Sequence, residues 1–356
     1  MKTLFPRYTD DVSPLRQLQE RVMRCHCLSF FLLVCLSVIH VSCRAGTAVL
    51  FTSSEVRSEL PAFEEHARPA SEAYRAYLHC YGFDTLDVSI LAGTFVSDSF
   101  VCVGQLFIPK ASHGTVFFQH GLFDHTGIIA NGIRLCLKEG FTVAASDMPG
   151  HGLSGGEQAG VSSFDEYVKA FSRFYDLCRP VVDSPYIYIG HSTGCALGYE
   201  YATTLSVQPF SRIIFLAPLA RSAMYHLSLA GNAVMSPFSK STMRWFREQS
   251  HDKAFLKRLH NDPLQAKRLP LRWAKAYFRW WRTVRDRPQR TLPLTVIQGT
   301  ADGVVDWKYN LPFYRRKVPG VEIVEIKGAR HQLLNETPEY RSACTSAIVS
   351  CLSRFR

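Results

Sequence analysis

The sequence predicts an α/β fold in which helices flank a mostly parallel central sheet and a helical lid is inserted into the chain. Short apolar runs, rich in β-branched and aromatic residues, alternate with helix-like runs from about residue 85 onward. The apolar runs are continuous, which is typical of strands buried on both faces of a parallel sheet. The alternation stops after residue 218 and resumes near Leu292, so the intervening segment is predicted to be an insertion above the sheet.

The same pattern predicts the individual elements and the division of the chain. The predicted strands cover residues 100–109, 115–119, 141–146, 186–189, 213–216, 294–297 and 321–326. The predicted helices in the core cover residues 129–139, 164–178, 194–205 and 338–352. The chain is accordingly divided into a lead-in at 44–84, a first part of the core at 85–218, a lid at 219–290 and a second part of the core at 291–356.

The N-terminal segment contains an apolar run at residues 28–42 (LSFFLLVCLSVIHVS), which has no formally charged residue and is flanked by arginines. The run is shorter than the roughly 20 residues of a transmembrane helix but suits the apolar core of a signal peptide. Met23 is an alternative start for such a peptide. We therefore expect residues 1–43 to be an export signal or an uncleaved membrane anchor, with lipid attachment at Cys43 as a further alternative.

The net charge of +11 is concentrated in one segment of the chain. Residues 240–290 contain 15 Lys and Arg against 4 Asp and Glu, whereas the remaining residues contain 26 of each kind. This distribution argues against a nucleic-acid-binding protein and favours a local basic surface. The 11 cysteines lack the paired spacing of zinc sites, so we predict neither a metal site nor a disulfide framework.

Ser192 is the predicted nucleophile. It lies at the centre of GHSTG at residues 190–194, directly after a predicted strand and before a predicted helix. A tight turn between strand and helix exposes a serine hydroxyl at the carboxyl edge of a sheet. The same G-x-S-x-G pattern surrounds Ser154, but its neighbours are loop residues and no helix follows at once. Ser154 is therefore predicted to be structural.

A serine hydroxyl needs a base to take its proton, and the base needs an acid to orient it. His331 follows the last predicted strand, and Asp302 follows the strand before it, so both are expected at the carboxyl edge of the sheet. We predict that His331 is the general base and that Asp302 orients it. Asp306 is the competing acid, but it lies farther into the loop and is interpreted as a capping or surface residue.

Acyl transfer also needs donors for the negative charge that develops on the carbonyl oxygen. The backbone N–H groups of Leu122 and Thr193 are the predicted pair, because one follows a strand end and the other follows the nucleophile. The nearby His120 and His125 are interpreted as residues that shape the loop. This chemistry requires no metal or organic cofactor.

At these motifs the sequence resembles the monoacylglycerol lipase and bacterial lysophospholipase group of α/β-hydrolases, the serine-aminopeptidase-like (S33-type) family. The resemblance spans roughly residues 83–352 and implies the α/β-hydrolase fold with an inserted lid, the proposed triad and hydrolysis of a fatty acyl ester. One residue departs from the family pattern, since Phe123 occupies a position that glycine usually holds. The matching segments, in chain order, are HGLFDH at 120, SDMPGHGLSGG at 146, GHSTG at 190, NDPL at 261, GTADGVVD at 299 and GARHQLLNE at 328.

Within the lid, residues 271–286 form a predicted helix with an aromatic face and a basic face. In one interpretation the aromatic face packs on the core. In the other, its tryptophans enter a lipid interface while the basic residues meet anionic head groups, so that replacing Trp280 and Trp281 weakens binding to liposomes. The aromatic face comprises Trp273, Tyr277, Trp280, Trp281 and Val284, and the basic face comprises Arg272, Lys275, Arg279, Arg282 and Arg285.

The preferred function is that of a serine hydrolase that cleaves carboxylic esters of single-chain lipids, either lysophospholipids or monoacylglycerols, through an acyl-enzyme. The choice of substrate follows from the resemblance. A peptidase or amide hydrolase is the first alternative, because a serine triad does not distinguish an ester from an amide. A non-catalytic membrane-binding protein that keeps the fold is the second, although the three predicted catalytic residues are all present.

Overall fold

A computed structural model describes residues 51–356 of the chain. The predicted signal or anchor segment at residues 1–43 lies outside the described residues. No helix within the described part of the chain is both long enough and apolar enough to cross a membrane.

The centre of the fold is an eight-stranded sheet with the order β1-β2-β4-β3-β5-β6-β9-β10. The first two strands pair antiparallel, and β2 pairs antiparallel with β4. All the other neighbouring strands are parallel. The strands are β1 (Ser89–Ser97), β2 (Phe100–Ile108), β3 (Thr115–Gln119), β4 (Thr142–Ser146), β5 (Tyr186–His191), β6 (Arg212–Leu216), β9 (Leu294–Gly299) and β10 (Glu322–Ile326).

Helices cover both faces of this sheet, and a separate apolar core lies on each side. Successive residues of a strand point to opposite faces. In β3, Phe117 accordingly contributes to one core, whereas Val116 and Phe118 contribute to the other. The helices of this layered core are α1 (Ser53–Glu59), α2 (Glu72–Cys80), α3 (Ala130–Lys138), α4 (Phe164–Cys178), α5 (Thr193–Thr204), α9 (Trp307–Lys317) and α10 (Pro338–Leu352).

The predicted α/β fold is confirmed, and each predicted strand and core helix is present with boundaries that agree within a few residues. Among the elements of the layered core, the prediction missed β1, α1, α2 and α9. The strand β1 has no continuous apolar run, because it is the outer strand of an antiparallel pair and several of its residues are only partly buried. The helix α9 contains Pro312 and ends in three basic residues, so its sequence lacks a clear helical pattern.

The lid segment between β6 and β9 contains three helices: α6 (Tyr225–Met235), α7 (Lys253–Asn261) and α8 (Leu271–Val284). The lid was predicted to be helical, with no continued alternation of strands and helices, but it also contains strands. Two three-residue strands, β7 (Ser241–Met243) and β8 (Arg268–Pro270), pair antiparallel. Strands this short carry no apolar run, so they leave no signal in the sequence.

The aromatic face of α8 packs against the core, as the first of the two interpretations predicts. Trp280 and Trp281 are only 7% and 2% exposed. The indole N–H of Trp280 donates to Glu200 at 3.0 Å, and its ring stacks on Phe164 with 4.9 Å between ring centroids. The alternative, in which these tryptophans enter a lipid interface, is not supported, because in this arrangement both rings are surrounded by protein.

Candidate active site

Ser192 occupies the turn between β5 and α5, the central strand–helix unit of the sheet. Its backbone has φ +51° and ψ −109°, which is a strained conformation for any residue that carries a side chain. The surrounding structure therefore holds the serine in a sharp turn. This geometry is the strand-to-helix elbow that the GHSTG sequence predicts.

Close packing explains the last glycine of this turn. A Cβ atom at Gly194 would lie 2.4 Å from the carbonyl oxygen of Gln119, at the end of β3. Any side chain there would push α5 away from the strand end. The glycine thus lets the N-terminus of α5, with its unpaired N–H groups and partial positive charge, approach the loop that follows β3.

Asp302 and His331 meet at the same edge of the sheet, after β9 and β10 respectively. His331 donates from Nδ1 to Asp302 Oδ2 at 2.8 Å, and both side chains are buried. The other oxygen of Asp302 accepts from the backbone N–H groups of Val304 and Val305 at 2.7 and 3.1 Å. The structure therefore brings together the predicted base and the predicted acid.

Burial by itself raises the pKa of the Asp302 carboxyl, but the charge and hydrogen bond of His331 and the two backbone N–H groups outweigh it. The net result is a pKa below the ordinary aspartate value, so Asp302 is ionised at neutral pH. An ionised carboxylate at Nδ1 leaves Nε2 of the imidazole as the nitrogen that can take a proton from a serine hydroxyl.

In this structure the Ser192 hydroxyl makes no hydrogen bond with the His331 ring. The two residues are nevertheless neighbours through His191. The His191 Nε2–H donates to the backbone carbonyl of His331 at 3.2 Å, and the two rings lie 4.8 Å apart. Hydrogen bonds between a nucleophile and its base are often long or poorly aligned until substrate binds.

The loop after β3 passes directly beside the nucleophile. A Cβ atom at Gly121 would lie 3.1 Å from the Cβ atom of Ser192. The next residue is Leu122, whose N–H donates no hydrogen bond within the described part of the chain. Thr193 is the first residue of α5, so its N–H has no acceptor inside the helix. Neither of the two predicted oxyanion donors thus donates a hydrogen bond to a described residue.

The histidines of this loop have structural roles. His120 donates from Nδ1 to the carbonyl of Gly121 at 2.8 Å and accepts at Nε2 from the N–H of Met148 at 2.9 Å. Burial lowers the pKa of His120, which keeps the ring neutral. His125 is bonded through Nε2 to Asp262 of the lid at 3.2 Å. Both rings are thus engaged in holding the loop, which agrees with their interpretation from the sequence.

A second histidine–aspartate pair lies next to the Asp302–His331 pair and was not predicted. His191 donates from Nδ1 to Asp124 Oδ2 at 3.1 Å, and Gln332 donates to both oxygens of the same carboxylate. Burial raises the pKa of Asp124, but the hydrogen bond and charge of His191 lower it to about 2 overall. The motifs contain all three residues, yet only the folded chain shows that they are partners.

Ser154 and Asp306, the alternatives to Ser192 and Asp302, make contacts of other kinds. The Ser154 hydroxyl donates to the carbonyl of Asp147 at 2.6 Å and accepts from the N–H of Val103 at 2.9 Å, so it joins β2 to the residue that follows β4. Asp306 precedes α9 and lies 4.0 Å from Arg221. No group of three or more His, Cys, Asp or Glu side chains that could hold a metal ion occurs in the part of the chain that the structure describes.

Comparison with known proteins identifies the family. The family described as "Serine aminopeptidase, S33" matches residues 110–338, a range that includes the serine elbow, the lid and the Asp302–His331 pair. The chain belongs to this family. The family resemblance predicted from the motifs is thereby confirmed.

Among the S33 relatives, the monoglyceride lipase of Mus musculus is 26% identical over 260 residues, covering 69% of this chain and 83% of that protein. The monoglyceride lipase of Homo sapiens is 27% identical over 252 residues, covering 65% of this chain and 78% of that protein. A crystal structure of Paleococcus ferrophilus monoacylglycerol lipase is 24% identical and matches with a TM-score of 0.61, covering 75% of this chain and all of that one. This likeness supports the fold assignment.

Proposed function

We propose that this protein hydrolyses carboxylic esters of single-chain lipids, lysophospholipids or monoacylglycerols, with Ser192, His331 and Asp302 as the catalytic triad. The observation that carries the proposal is the Asp302–His331 hydrogen bond beside the strained serine elbow. Membership of the S33 family and the monoglyceride lipases among its relatives support carboxylic ester hydrolysis.

In the proposed reaction, Ser192 Oγ attacks the ester carbon while His331 Nε2 takes the hydroxyl proton and Asp302 stabilises the resulting imidazolium. The N–H groups of Leu122 and Thr193 bind the oxyanion of the tetrahedral intermediate. His331 then protonates the departing alcohol, which leaves an acyl-enzyme. A water molecule attacks the acyl carbon by the same route and releases the fatty acid.

The lid supplies the proposed contact with a lipid surface, but through residues other than Trp280 and Trp281. The aromatic face of α8 is buried, whereas the segment at 224–245 exposes several large apolar side chains, which we call the apolar lid surface. Exposed apolar residues next to a basic segment are typical of proteins that dock on membranes. The surface comprises Met224, Leu227, Leu229, Val234, Met235, Phe238, Met243 and Trp245, and the most exposed are Phe238 at 89% and Trp245 at 83%.

The proposed activity is tested by labelling with a fluorophosphonate probe and by comparing three substrates. We expect the probe to label the wild-type protein and not Ser192→Ala. Monooleoylglycerol and oleoyl lysophosphatidylcholine should be cleaved, whereas an aminoacyl anilide should not. Cleavage of the anilide in preference to both lipids would instead support the peptidase alternative that the family description suggests. Absence of labelling and of any hydrolysis would favour a non-catalytic binding protein.

The proposed membrane contact is tested by sedimentation with liposomes that contain anionic lipid. Replacing Phe238 and Trp245 with Ser should lower the partition coefficient about tenfold or more, because two large apolar side chains lose their favourable transfer from water. Val207→Ser is the matched control, since Val207 is 78% exposed but lies outside the lid. Equal partitioning of all three proteins would argue against the apolar lid surface as the docking site.

A further inference from the structure

Arg244 is a buried cation of the lid that has no acidic partner. It directly follows β7 and is only 7% exposed. Among residues 51–356, no carboxylate lies within ion-pair distance of its guanidinium. Its Cζ atom lies 4.2 Å from the ring centroid of Phe123 and 4.3 Å from that of Phe246, so two aromatic rings enclose the guanidinium plane. Such contacts stabilise a desolvated cation without neutralising it.

The hydrogen bonds of Arg244 leave one edge of the guanidinium unoccupied. Its Nη1 donates to the side-chain oxygen of Gln265 and to the carbonyl of Ala266. Its Nε is buried and has no acceptor, and Nη2 donates no hydrogen bond to any described residue. The Nε–Nη2 edge is the side with which arginine binds two oxygens of one phosphate or carboxylate.

The charge of Arg244 is not cancelled by its surroundings. Burial lowers the pKa of Arg244 to about 10, so the guanidinium remains protonated at neutral pH. The two acidic residues that attract it, Asp124 and Asp262, are already bonded to His191 and to His125. A buried cation with a free bidentate edge is costly unless an anion completes it.

Arg244 adjoins the loop that is proposed to bind the oxyanion. Phe123, one of the two rings that enclose it, directly follows Leu122. Phe123 has a left-handed backbone, with φ +67°, a conformation that favours glycine. A glycine would suit this backbone conformation better, but it would provide no ring against which the guanidinium could pack.

We propose that Arg244 binds the phosphate group of a lysophospholipid whose ester lies at Ser192, and so favours phosphate-bearing substrates over neutral monoacylglycerols. The inference rests on the proposed ester hydrolase function and deepens it. The glycerol unit separates the scissile ester from the phosphate, which matches a cationic group placed beside the oxyanion loop rather than within it.

The test compares kcat/KM for oleoyl lysophosphatidic acid and for monooleoylglycerol in the wild type and three variants. In Arg244→Gln, kcat/KM for the phosphate-bearing substrate should fall at least tenfold, because a bidentate charged hydrogen bond is lost, while the value for monooleoylglycerol changes less than threefold. Arg244→Lys should give an intermediate loss, since an ammonium lacks the bidentate edge. Arg258→Gln removes an exposed charge of the same lid and should change neither value.

An equal loss on both substrates would overturn the inference and identify Arg244 as a support for the oxyanion loop. No loss on either substrate would overturn it as well.

Binding of an ether analogue of lysophosphatidic acid, which contains no ester, separates this inference from the proposed reaction. The wild type should bind the analogue at least tenfold more tightly than Arg244→Gln, and the alkylglycerol without phosphate should show no such difference. If the wild type cleaves no ester but retains this difference, the proposed reaction fails and the phosphate site stands. If inorganic phosphate alone binds as tightly as the analogue and with the same dependence on Arg244, the site is one for free phosphate and the lipid assignment is wrong.

Discussion

The two G-x-S-x-G turns of this chain share a pattern but differ in where the backbone strain and the hydrogen bonds lie. In the turn at 190–194 the serine itself has a positive φ, and its hydroxyl makes no hydrogen bond among the described residues. In the turn at 152–156 the Ser154 hydroxyl accepts one hydrogen bond and donates another. The first turn leaves its serine hydroxyl without a hydrogen bond, whereas the second uses its hydroxyl to join β2 to the residue that follows β4.

Glycine also has a different structural role in each turn. Gly152 has φ +51° and closes the second turn with the conformation that glycine tolerates best. Gly194 of the first turn is needed because another strand end approaches it closely. In the second turn the glycines have the positive φ angles, so the backbone of Ser154 is unstrained. In the first turn Ser192 itself has the positive φ, which places its side chain at the edge of the sheet.

The largest expected effect distinguishes the two serines by activity. Ser192→Ala should lower kcat on a lipid ester by about 10⁴-fold or more, because the nucleophile is lost. Ser154→Ala should retain kcat within about threefold. Initial rates on monooleoylglycerol measure both. Comparable losses in the two variants would remove the distinction between a catalytic and a structural turn.

The next effect concerns Asp302, the proposed acid of the triad. Asp302→Asn should lower kcat by about 10³- to 10⁴-fold, because an amide no longer holds His331 in the correct tautomer or stabilises its charged form. Asp306→Asn is the matched control and should change kcat less than twofold. A larger loss in Asp306→Asn than in Asp302→Asn would exchange the roles of the two residues.

A smaller effect on stability is expected at the second turn. Ser154→Ala should lower the free energy of unfolding by about 1–3 kcal/mol, because the N–H of Val103 and the carbonyl of Asp147 lose a buried partner. Urea denaturation followed by circular dichroism measures the change. Ser342→Ala, which alters an exposed hydroxyl, should change the free energy of unfolding by less than 0.5 kcal/mol on the scale typical of surface substitutions.

The last prediction tests the Asp124–His191 pair, which holds the turn at 190–194. The pKa of Asp124 is lowered from 3.8 to about 2, so this carboxylate stabilises the folded protein above its unfolded pKa and loses that contribution as pH falls toward 2. The shift corresponds to about 2 kcal/mol. Asp124→Asn should therefore be less stable than the wild type at pH 6, and the difference should shrink between about pH 4 and pH 2. A difference that is independent of pH would show that the pair is not ionised as described.

Several parts of the site follow from local sequence, and the parts that do not are long-range contacts. The serine elbow was predictable because a strand, a glycine-flanked serine and a helix are consecutive in the chain. The Asp302–His331 pair followed from the rule that parallel strands end at one edge. The Asp124–His191 pair was not predictable, since residues 67 positions apart meet only after β3 and β5 become neighbours.

The lid is a second region where the local sequence does not reveal long-range contacts. Its helix α8 was predictable from the helical spacing of the aromatic residues, but periodicity does not say whether an apolar face meets protein or lipid. Contacts with Phe164 and Glu200 decide that for Trp280. The exposed residues of the apolar lid surface have no comparable pattern in the sequence.

The sequence by itself determined the α/β architecture, the family and the identity of the three proposed catalytic residues, because these depend on neighbours along the chain and on the order of strand ends. Only the tertiary structure decided which of the two serine hydroxyls is already hydrogen-bonded, which tryptophans are buried and that Arg244 is buried without an acidic partner among the described residues. Burial and hydrogen bonding are properties of a residue's whole surroundings, and those surroundings come from distant segments that only folding brings together.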